Sequence, residues 1–204
     1  MSELTFESIL ADPSLLASRV KTKTGLEVLF RPLEEGDGEI LGRYFMSLSE
    51  WTKDRFAPHP FNQETADKLC QEEYENRAAN RWFRMIGIEE RDAEPPVIAY
   101  FILIFTTHPG EAERYEKAGI HLDPEHDCRF APSVLDSLQG QGVGRALMQA
   151  SLDIFRRADR RLCTLLGGVQ QRNEQAIAFY TKHGFVKAGA FTTRLPNQDM
   201  YLKL

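Results

Sequence analysis

The first half of the chain alternates between two hydrophobic periods, one typical of strands and one typical of helices. Leu26 to Pro32 alternates apolar and polar residues like a strand, whereas Asp37 to Leu48 repeats apolar residues at helical spacing. Thr65 to Asn76 predicts a second helix, and Trp82 to Glu89 and Val97 to Thr106 predict two more strands. The order of the predicted elements is therefore strand, helix, helix, strand, strand.

Three other segments of the first 127 residues are connections. Residues 1–23 are expected to form an N-terminal extension with a short helix near Pro13 to Val20, and Arg91 to Pro96 an acidic turn. His108 to Asp127 is a polar insertion, within which Glu111 to Lys117 predicts a helical turn. Long connections inside a compact domain are usually functional or mobile, so this insertion is a candidate for a functional role.

A glycine-rich loop lies between a predicted strand and a predicted helix. Phe130 to Leu138 is expected to be a strand and its exit, and three glycines follow within the stretch Gln139 to Arg145. The next helix has one apolar face, formed by Leu147, Ala150, Ser151, Ile154 and Phe155. Such a loop points free N–H groups and the positive end of a helix dipole at one place, which suits a phosphate.

Two familiar phosphate-binding motifs do not fit this loop. A P-loop needs Lys and Ser or Thr after its last glycine, but Arg145 and Ala146 follow Gly144. A dinucleotide site needs an acidic residue at the end of the next strand, but the predicted strand Leu162 to Val169 is followed by two glutamines. The remaining pattern is Q/R-x-x-G-x-G/A, which alone is equally consistent with a phosphate site and a structural turn.

A second motif follows in residues 169–185. Asn173 is a candidate helix N-cap, and Gly184 a candidate C-cap before Phe185. A helix between them carries four residues on one face at the spacing i, i+3, i+4, i+7, namely Asn173, Ala176, Ile177 and Tyr180. This face therefore combines an amide, two apolar groups and a phenol.

Together the two motifs resemble the GCN5-related N-acetyltransferase (GNAT) superfamily, over about residues 128–190. The residues that match are Val134, Gln139, Gly140, Gly142, Gly144, Asn173, Ala176, Phe179, Tyr180, Gly184 and Phe185. The resemblance implies a single-domain acyl-CoA N-acyltransferase fold over residues 24–204, of the mixed α/β class. This fold has a central, mostly antiparallel sheet of about six to seven strands with helices on both faces.

The resemblance also implies acetyl-CoA as co-substrate and a primary amine, on a small molecule or a peptide, as acceptor. The residues expected to bind the coenzyme are Val134, Leu135, Asp136, Gln139, Gly140, Gln141, Gly142, Val143, Gly144, Arg145, Asn173 and Tyr180. At Val134 to Asp136 the expected contacts are made by the main chain, in the manner of an added strand. Tyr180 is the expected catalytic residue, a general acid for the leaving thiolate, against the alternative of plain helix packing.

The acceptor site and the general base are less defined. Asp127, Asp136 and His126 are candidate bases, and relatives also work without a dedicated base. The loop Trp51 to Phe61 is rich in aromatic residues and proline, and in this fold that region lines the acceptor pocket. Candidate substrate contacts there are Trp51, Phe56 and His59, and His59 could also act as a base. The alternative is a stiff packing loop with Trp51, Phe56 and Phe61 in the core and His59 at the surface. The 108–127 insertion is expected near the acceptor side.

The composition narrows the function classes further. A chain of 204 residues that is 42% hydrophobic suits one domain, and neither an apolar run long enough for a membrane span nor a secretory signal is visible. A net charge of −5 argues against nucleic-acid binding and is compatible with a cationic amine substrate. No metal site is supported, because Cys70, Cys128 and Cys163 are far apart. Reduced thiols in a cytoplasmic protein are expected, and a homodimer is compatible with the family.

Two alternatives to an enzyme remain open. One is a non-catalytic acyl-CoA-binding regulatory protein that keeps the glycine loop and has lost the chemistry. The other is a nucleotide-binding module, which the missing P-loop residues and the missing acidic strand end disfavour.

Overall fold

A nine-stranded sheet runs through the part of the chain that the computed structural model describes, residues 4–90 and 96–204. The strand order is β1-β2-β3-β4-β5-β6-β9-β7, with β8 paired to β9, and the one parallel pair among these is β5 with β6. The strands are β1 Ser18–Lys21, β2 Glu27–Pro32, β3 Trp82–Glu89, β4 Val97–Ile104, β5 Asp127–Val134, β6 Leu162–Leu165, β7 Val169–Gln170, β8 Val186–Thr192 and β9 Pro196–Lys203.

Helices cover both faces of this sheet. They are α1 Phe6–Ala11, α2 Gly38–Ser47, α3 Glu50–Arg55, α4 Gln63–Asn80, α5 Pro109–Glu116, α6 Val143–Arg157 and α7 Glu174–Lys182. One face packs on α6 and α7 through a core that includes Leu147, Phe130 and Tyr180. The other packs on α2 and α4 through a core that includes Leu41 and Tyr100. We call these the α6 face and the α2 face.

The two central strands β5 and β6 separate part of the way along. They pair from Asp127 opposite Leu162 to Phe130 opposite Leu165, and the Leu166 N–H then donates to the Phe130 carbonyl at 3.0 Å. After that point β6 turns away through Gly167 and Gly168, both at positive φ (70° and 68°), a conformation that favours glycine. Residues 131–134 of β5 remain paired with β4 alone. We call the space beside these four residues the strand gap.

Most predicted elements are confirmed, including β2, β3, β4, α2 and the long amphipathic α6. The predicted helix at Pro13 to Val20 is wrong, because Pro13–Leu16 form one 3-10 turn and Ser18–Lys21 add a strand beside β2. The predicted strand Leu162 to Val169 is two strands separated by the glycine turn. Of the expected acidic turn, residues 91–95 lie outside the described part of the chain.

Two helices differ in length from their predictions. The helix expected at Thr65 to Asn76 extends over all of α4, capped by the Asn62 side chain, which accepts from the Thr65 N–H at 2.8 Å. The helical turn expected at Glu111 to Lys117 is α5, whose first helical residue is Pro109. Among the described residues, no helix is both long enough and apolar enough to span a membrane.

Candidate functional site

The glycine loop presents a row of free backbone donors at the start of α6. Gly140 and Gly142 have φ of 76° and 89°, so the loop needs glycine at both positions. No side chain caps the helix, and no residue of the described chain accepts a hydrogen bond from the N–H groups of Gly142, Val143 and Gly144. These donors coincide with the positive end of the helix dipole, an arrangement that suits an anion.

Side chains of the loop tie it to the end of β5. The Gln139 side-chain amide donates to the Val134 carbonyl at 3.1 Å and to Thr52 Oγ1 at 3.3 Å, and Gln141 donates to the Ser137 carbonyl at 2.8 Å. A Cβ on Gly144 would come to 3.6 Å from Val134 Cγ2, so the loop backbone lies close against the strand. The Val143 side chain is buried in the core, and only its backbone faces the loop.

The strand gap exposes one backbone donor of β5. The Leu135 N–H donates to Ile98 of β4 at 2.9 Å, and alternation along the strand directs the Val134 N–H to the opposite edge, into the gap. Pro132, the other residue that faces this edge, has no N–H. An amide-containing chain can therefore pair with β5 at Val134 as an added strand. The main-chain contacts predicted at Val134 to Asp136 cannot include the Leu135 N–H, because this group already donates to Ile98 of β4.

Tyr180 lies beside the point where the strands separate. Its ring packs edge-on against Phe130, the last β5 residue paired with β6, with centroids 6.3 Å apart, and against Phe185 at 5.3 Å. The side chain is buried, yet its hydroxyl makes no hydrogen bond to any described residue. Burial, and to a lesser extent Cys163, raise the pKa of this phenol above its ordinary value. Tyr180 therefore remains a proton donor at neutral pH.

Asn173 caps α7, the helix that carries Tyr180. Its side-chain oxygen accepts a hydrogen bond from the Ala176 N–H at 3.2 Å, and Gly184 at φ 90° follows the other end of the helix. The motif thus fixes the helix at both ends and sets the position of the phenol. The side-chain NH₂ of Asn173 makes no hydrogen bond to any described residue, so it is free to contact a ligand.

A short helix that was not predicted, α3, connects the two sides of the strand gap. At its start, Asp136 accepts hydrogen bonds from Ser49 and from Thr52 Oγ1, the latter at 2.7 Å. At its end, the Asp54 carbonyl accepts from Gln170 Nε2 of β7 at 2.6 Å. The sequence signal for this helix is Ser49 as N-cap, which accepts from the Thr52 N–H at 3.2 Å, followed by the acidic Glu50.

The loop expected to line the acceptor pocket divides into buried and exposed parts. Phe56 and His59 are half-buried against the α2-face core. Trp51, which the packing alternative places in the core, is instead 44% exposed. The Arg55 guanidinium lies 4.1 Å above its ring. His59 Nδ1 donates to the Pro60 carbonyl at 2.7 Å, and His59 Nε2 therefore accepts from the Tyr100 hydroxyl at 3.3 Å. Burial lowers the pKa of His59, so the ring is neutral at pH 7.

The candidate bases are engaged in structural hydrogen bonds. Asp127 is buried and accepts from the backbone N–H groups of Asp123 at 2.7 Å and Leu162 at 3.0 Å. His126 Nδ1 lies 3.0 Å from the Asp123 carboxylate. Asp136 is held at the start of α3, as described above. These three groups therefore stabilise turns and strand ends in this structure.

The 108–127 insertion packs beside the α2 face. Glu111 is buried, accepts from Thr164 Oγ1 at 2.8 Å, and pairs with Arg129 of β5 at 3.3 Å. The Tyr115 hydroxyl donates to the Met200 carbonyl at 2.8 Å. Burial raises the pKa of Glu111, which the Arg129 charge partly offsets. The sequence identified the insertion and its helical turn, but gave no sign of these long-range pairs.

A family model confirms what the geometry indicates. Residues 103–187, from within β4 to the start of β8, match the model described as "Acetyltransferase (GNAT) domain". The matched segment, which spans less than half of the chain, is similar to a GNAT domain. The predicted membership of the GNAT superfamily is confirmed, as is the predicted fold class, with nine strands instead of six or seven.

Solved GNAT structures share the fold over most of the chain at low sequence identity. The GNAT domain of S. lividans PAT superposes with a TM-score of 0.69 at 17% identity, covering 94% of this chain and 99% of that one. A ribosomal-protein-S5-alanine acetyltransferase from Vibrio fischeri gives 0.65 at 18% identity, covering 86% and 91%. An aminoglycoside acetyltransferase in complex with coenzyme A and kanamycin gives 0.64 at 18%, covering 86% and 94%.

Proposed function

We propose that this protein is an acetyl-CoA-dependent N-acetyltransferase, which transfers the acetyl group to a primary amine of a small molecule or peptide by direct attack. The observation that carries the proposal is the arrangement of three features along one strand, β5. The free N–H groups of the glycine loop and the Val134 N–H lie at the end of β5, and the Tyr180 ring packs on Phe130, four residues earlier on the same strand. Each of these features fits a different part of the coenzyme.

Each group of residues would contact a different part of the coenzyme. The N–H groups of Gly142, Val143 and Gly144 would bind the pyrophosphate, and the Val134 N–H would pair with a pantetheine amide. Gln139 and Gln141 shape the loop through their bonds to backbone carbonyls, and Arg145, which is exposed in the first turn of α6, would add a positive charge for a phosphate. Asn173 would offer its free NH₂ to the pantetheine arm.

Acetyl-CoA supplies an acyl group activated as a thioester. Tyr180 would hold a proton beside the sulfur, because its raised pKa keeps the hydroxyl protonated and no described residue competes for that proton. A thiol has an ordinary pKa near ~8.5 and a phenol near ~10, so complete proton transfer from Tyr180 to a departing thiolate is uphill, and the raised pKa of Tyr180 adds to its cost. Tyr180 would therefore first stabilise the departing thiolate by donating a hydrogen bond to it. The aromatic rings of Phe130 and Phe185 around Tyr180 would exclude water from this transfer.

The acceptor would approach from the α2 face, opposite the helices that carry the coenzyme loop. Ser133, on β5 beside the gap, points to this face and shares a hydrogen bond of 2.8 Å with the Tyr44 hydroxyl. Phe56 and His59 contribute to the same wall, and Trp51 extends it at the surface. Since Asp127, Asp136 and His126 are all engaged, we propose that the amine loses its proton to water before it attacks.

Other parts of the proposal concern the whole chain. We propose residues 24–204 as the catalytic domain and residues 1–23 as an extension, which packs on that domain through Ile9 and through the β1–β2 pairing. The three cysteines are buried and unpaired, which supports reduced thiols and a cytoplasmic location. A homodimer is proposed on the family resemblance alone.

A free-thiol assay tests the activity. The purified protein is incubated with acetyl-CoA and a panel of primary amines, and released CoA thiol is measured against a blank without amine. Acceptor-dependent thiol release, with an N-acetylated product detected by mass spectrometry, supports the proposal. Acetyl-CoA binding without release for any amine would favour the alternative of a non-catalytic acyl-CoA-binding regulator.

A further inference from the structure

Helix α3 lies across the strand gap on the α2 face. Its first turn is fixed to Asp136, immediately after β5, and its last turn to Gln170, shortly after β6. These are the two strands that separate to form the gap. Phe56, which follows α3, packs on the α2-face core and therefore fixes the side on which the helix lies. An acceptor that reaches the strand gap from the α2 face would therefore meet α3.

Three arginines meet one carboxylate at the C-terminal end of α3. The Asp54 carboxylate pairs with Arg172 of the β7–α7 connection and lies 3.8 Å from Arg194 of the β8–β9 turn and 3.5 Å from Arg55. Arg194 is 82% exposed and Arg172 48% exposed on their side chains. We call these four residues the arginine cluster. Among the described residues no other carboxylate pairs with these arginines, so one negative charge faces three positive charges.

The surrounding charges do not neutralise the arginine cluster. Lys53 pairs with Glu50, Arg129 with Glu111, and Arg114 with Asp199, so each of these charges has a partner of its own. The Asp136 carboxylate lies at the other end of α3 and accepts its hydrogen bonds from Ser49 and Thr52. The chain carries −5 overall, yet the C-terminal end of α3 is locally positive.

We propose that the acceptor is an amine that also carries a carboxylate, and that Arg172 and Arg194 bind this carboxylate. The inference rests on the proposed function and names its substrate class. Guanidinium groups bind carboxylates through paired N–H···O bonds, and the excess of positive charge draws anions to this end of α3. A polycationic amine, by contrast, is repelled there. The sequence-based expectation of a cationic substrate followed from the net charge, which does not describe this local field.

The test compares matched acceptors in the thiol-release assay. An alanyl-glutamate dipeptide and free glutamate are set beside the diamides of the same two compounds, with spermidine as the polycation. We expect kcat/KM to be about tenfold or more higher for a carboxylate form than for its diamide, with spermidine lowest. The dipeptide and the free amino acid separate a peptide acceptor from a small-molecule acceptor. Equal or better transfer to diamides and spermidine would overturn the inference and leave the acetyltransferase proposal intact.

Single substitutions connect the preference to the arginine cluster. Arg194→Gln should raise KM for the acidic acceptor by about fivefold and leave the diamide unchanged, and Arg194→Glu should reverse the preference. The matched control is Arg19→Gln, since Arg19 is 72% exposed, has one ion pair to Glu90 and lies on the edge strand β1. Unchanged selectivity in both Arg194 variants would overturn the inference.

Asp54→Asn distinguishes two roles of the arginine cluster, which are binding of the acceptor and attachment of α3 to the rest of the domain. If the arginine cluster binds the acceptor, removal of its internal carboxylate frees the guanidinium groups and lowers KM for the acidic acceptor selectively. If the cluster only fastens α3, kcat falls alike for acidic and diamide acceptors, which contradicts the inference. No transfer to any amine would overturn the proposed function and the inference together.

Discussion

The Asp136 side chain holds Ser49 by two hydrogen bonds, one from the Ser49 backbone N–H at 2.9 Å and one from its hydroxyl at 2.6 Å. Thr52 Oγ1 donates a third at 2.7 Å. The residue that follows the central strand β5 by two positions therefore also fixes the start of α3. Through this carboxylate, the position of the helix above the strand gap depends on the end of the strand that forms the gap.

Asp136→Ala should destabilise the protein in a pH-dependent way. Burial acts to raise the pKa of Asp136, but the hydrogen bonds from Ser49 and Thr52 lower it by more, so the folded pKa lies below the ordinary value. The carboxylate thus contributes stability above about pH 4, and this contribution is lost as the pH falls through the folded pKa. We expect a loss of about 1–3 kcal/mol in unfolding free energy at pH 7 and a much smaller difference near pH 2.

Urea unfolding of wild type and variant between pH 2 and pH 7 measures this difference. The control is Asp153→Ala, which removes an exposed carboxylate with a single ion pair to Arg156. A constant difference between wild type and Asp136→Ala across the pH range would contradict the assigned role of the carboxylate.

Tyr180→Phe should lower kcat and spare stability. The hydroxyl makes no hydrogen bond to any described residue, so its removal should change the unfolding free energy by less than about 1 kcal/mol. Loss of a general acid typically costs about 10²–10⁴ in rate. Steady-state kinetics should therefore show a fall in kcat with KM for acetyl-CoA within about twofold. An unchanged kcat would reduce Tyr180 to a packing residue.

Gly142→Ala should weaken acetyl-CoA binding by about tenfold or more. The residue has φ of 89° at the start of α6, and a side chain there strains the loop that presents the free N–H groups. Gly119→Ala is the matched control, since Gly119 lies in the insertion at φ 74° and a Cβ added to it would meet no atom within 4 Å. Calorimetric titration should show weaker binding for Gly142→Ala alone. Equal affinities in the two variants would contradict the anion site.

Glu73→Ala should be strongly destabilising. Glu73 on α4 is buried and receives hydrogen bonds from the Arg84 backbone N–H and from its guanidinium, each at 3.0 Å. Removal of Glu73 leaves the buried Arg84 with only the more distant Glu72, at 4.0 Å, and takes a partner from Arg77 as well, at a cost of about 3–5 kcal/mol. The double variant Glu73→Leu, Arg84→Met should recover part of this loss, because Arg77 still lacks Glu73. Thermal unfolding of the three proteins checks the order, and a double variant less stable than Glu73→Ala would contradict it.

The sequence was most informative where the signal is local. Amphipathic periodicity predicted α6 and its buried face, including Leu147 and Phe155, and the caps Asn173 and Gly184 predicted the ends of α7. The glycine loop and Tyr180 were found because their spacing is a property of consecutive residues. The structure brings both to the strand gap, and their roles in binding and catalysis remain predictions.

Other features depend on contacts between distant parts of the chain. Asp54, Arg172 and Arg194 meet only because α3 spans from β5 to β7 and β9 pairs with β7. The division of the predicted strand at residues 162–169 depends on two successive glycines at positive φ, where periodicity alone predicts one continuous strand. Trp51 is a large apolar residue that sequence patterns favour in a core, but in the structure it is exposed and its ring carries the Arg55 guanidinium.

The most direct test of the central claim is a calorimetric titration of the purified protein with acetyl-CoA, with ATP and NAD titrated in parallel. We predict one acetyl-CoA site per chain with a dissociation constant in the micromolar range, about −8 kcal/mol, and no heat from the other two ligands. Absence of acetyl-CoA binding would contradict the account, because the glycine loop would then be a structural turn.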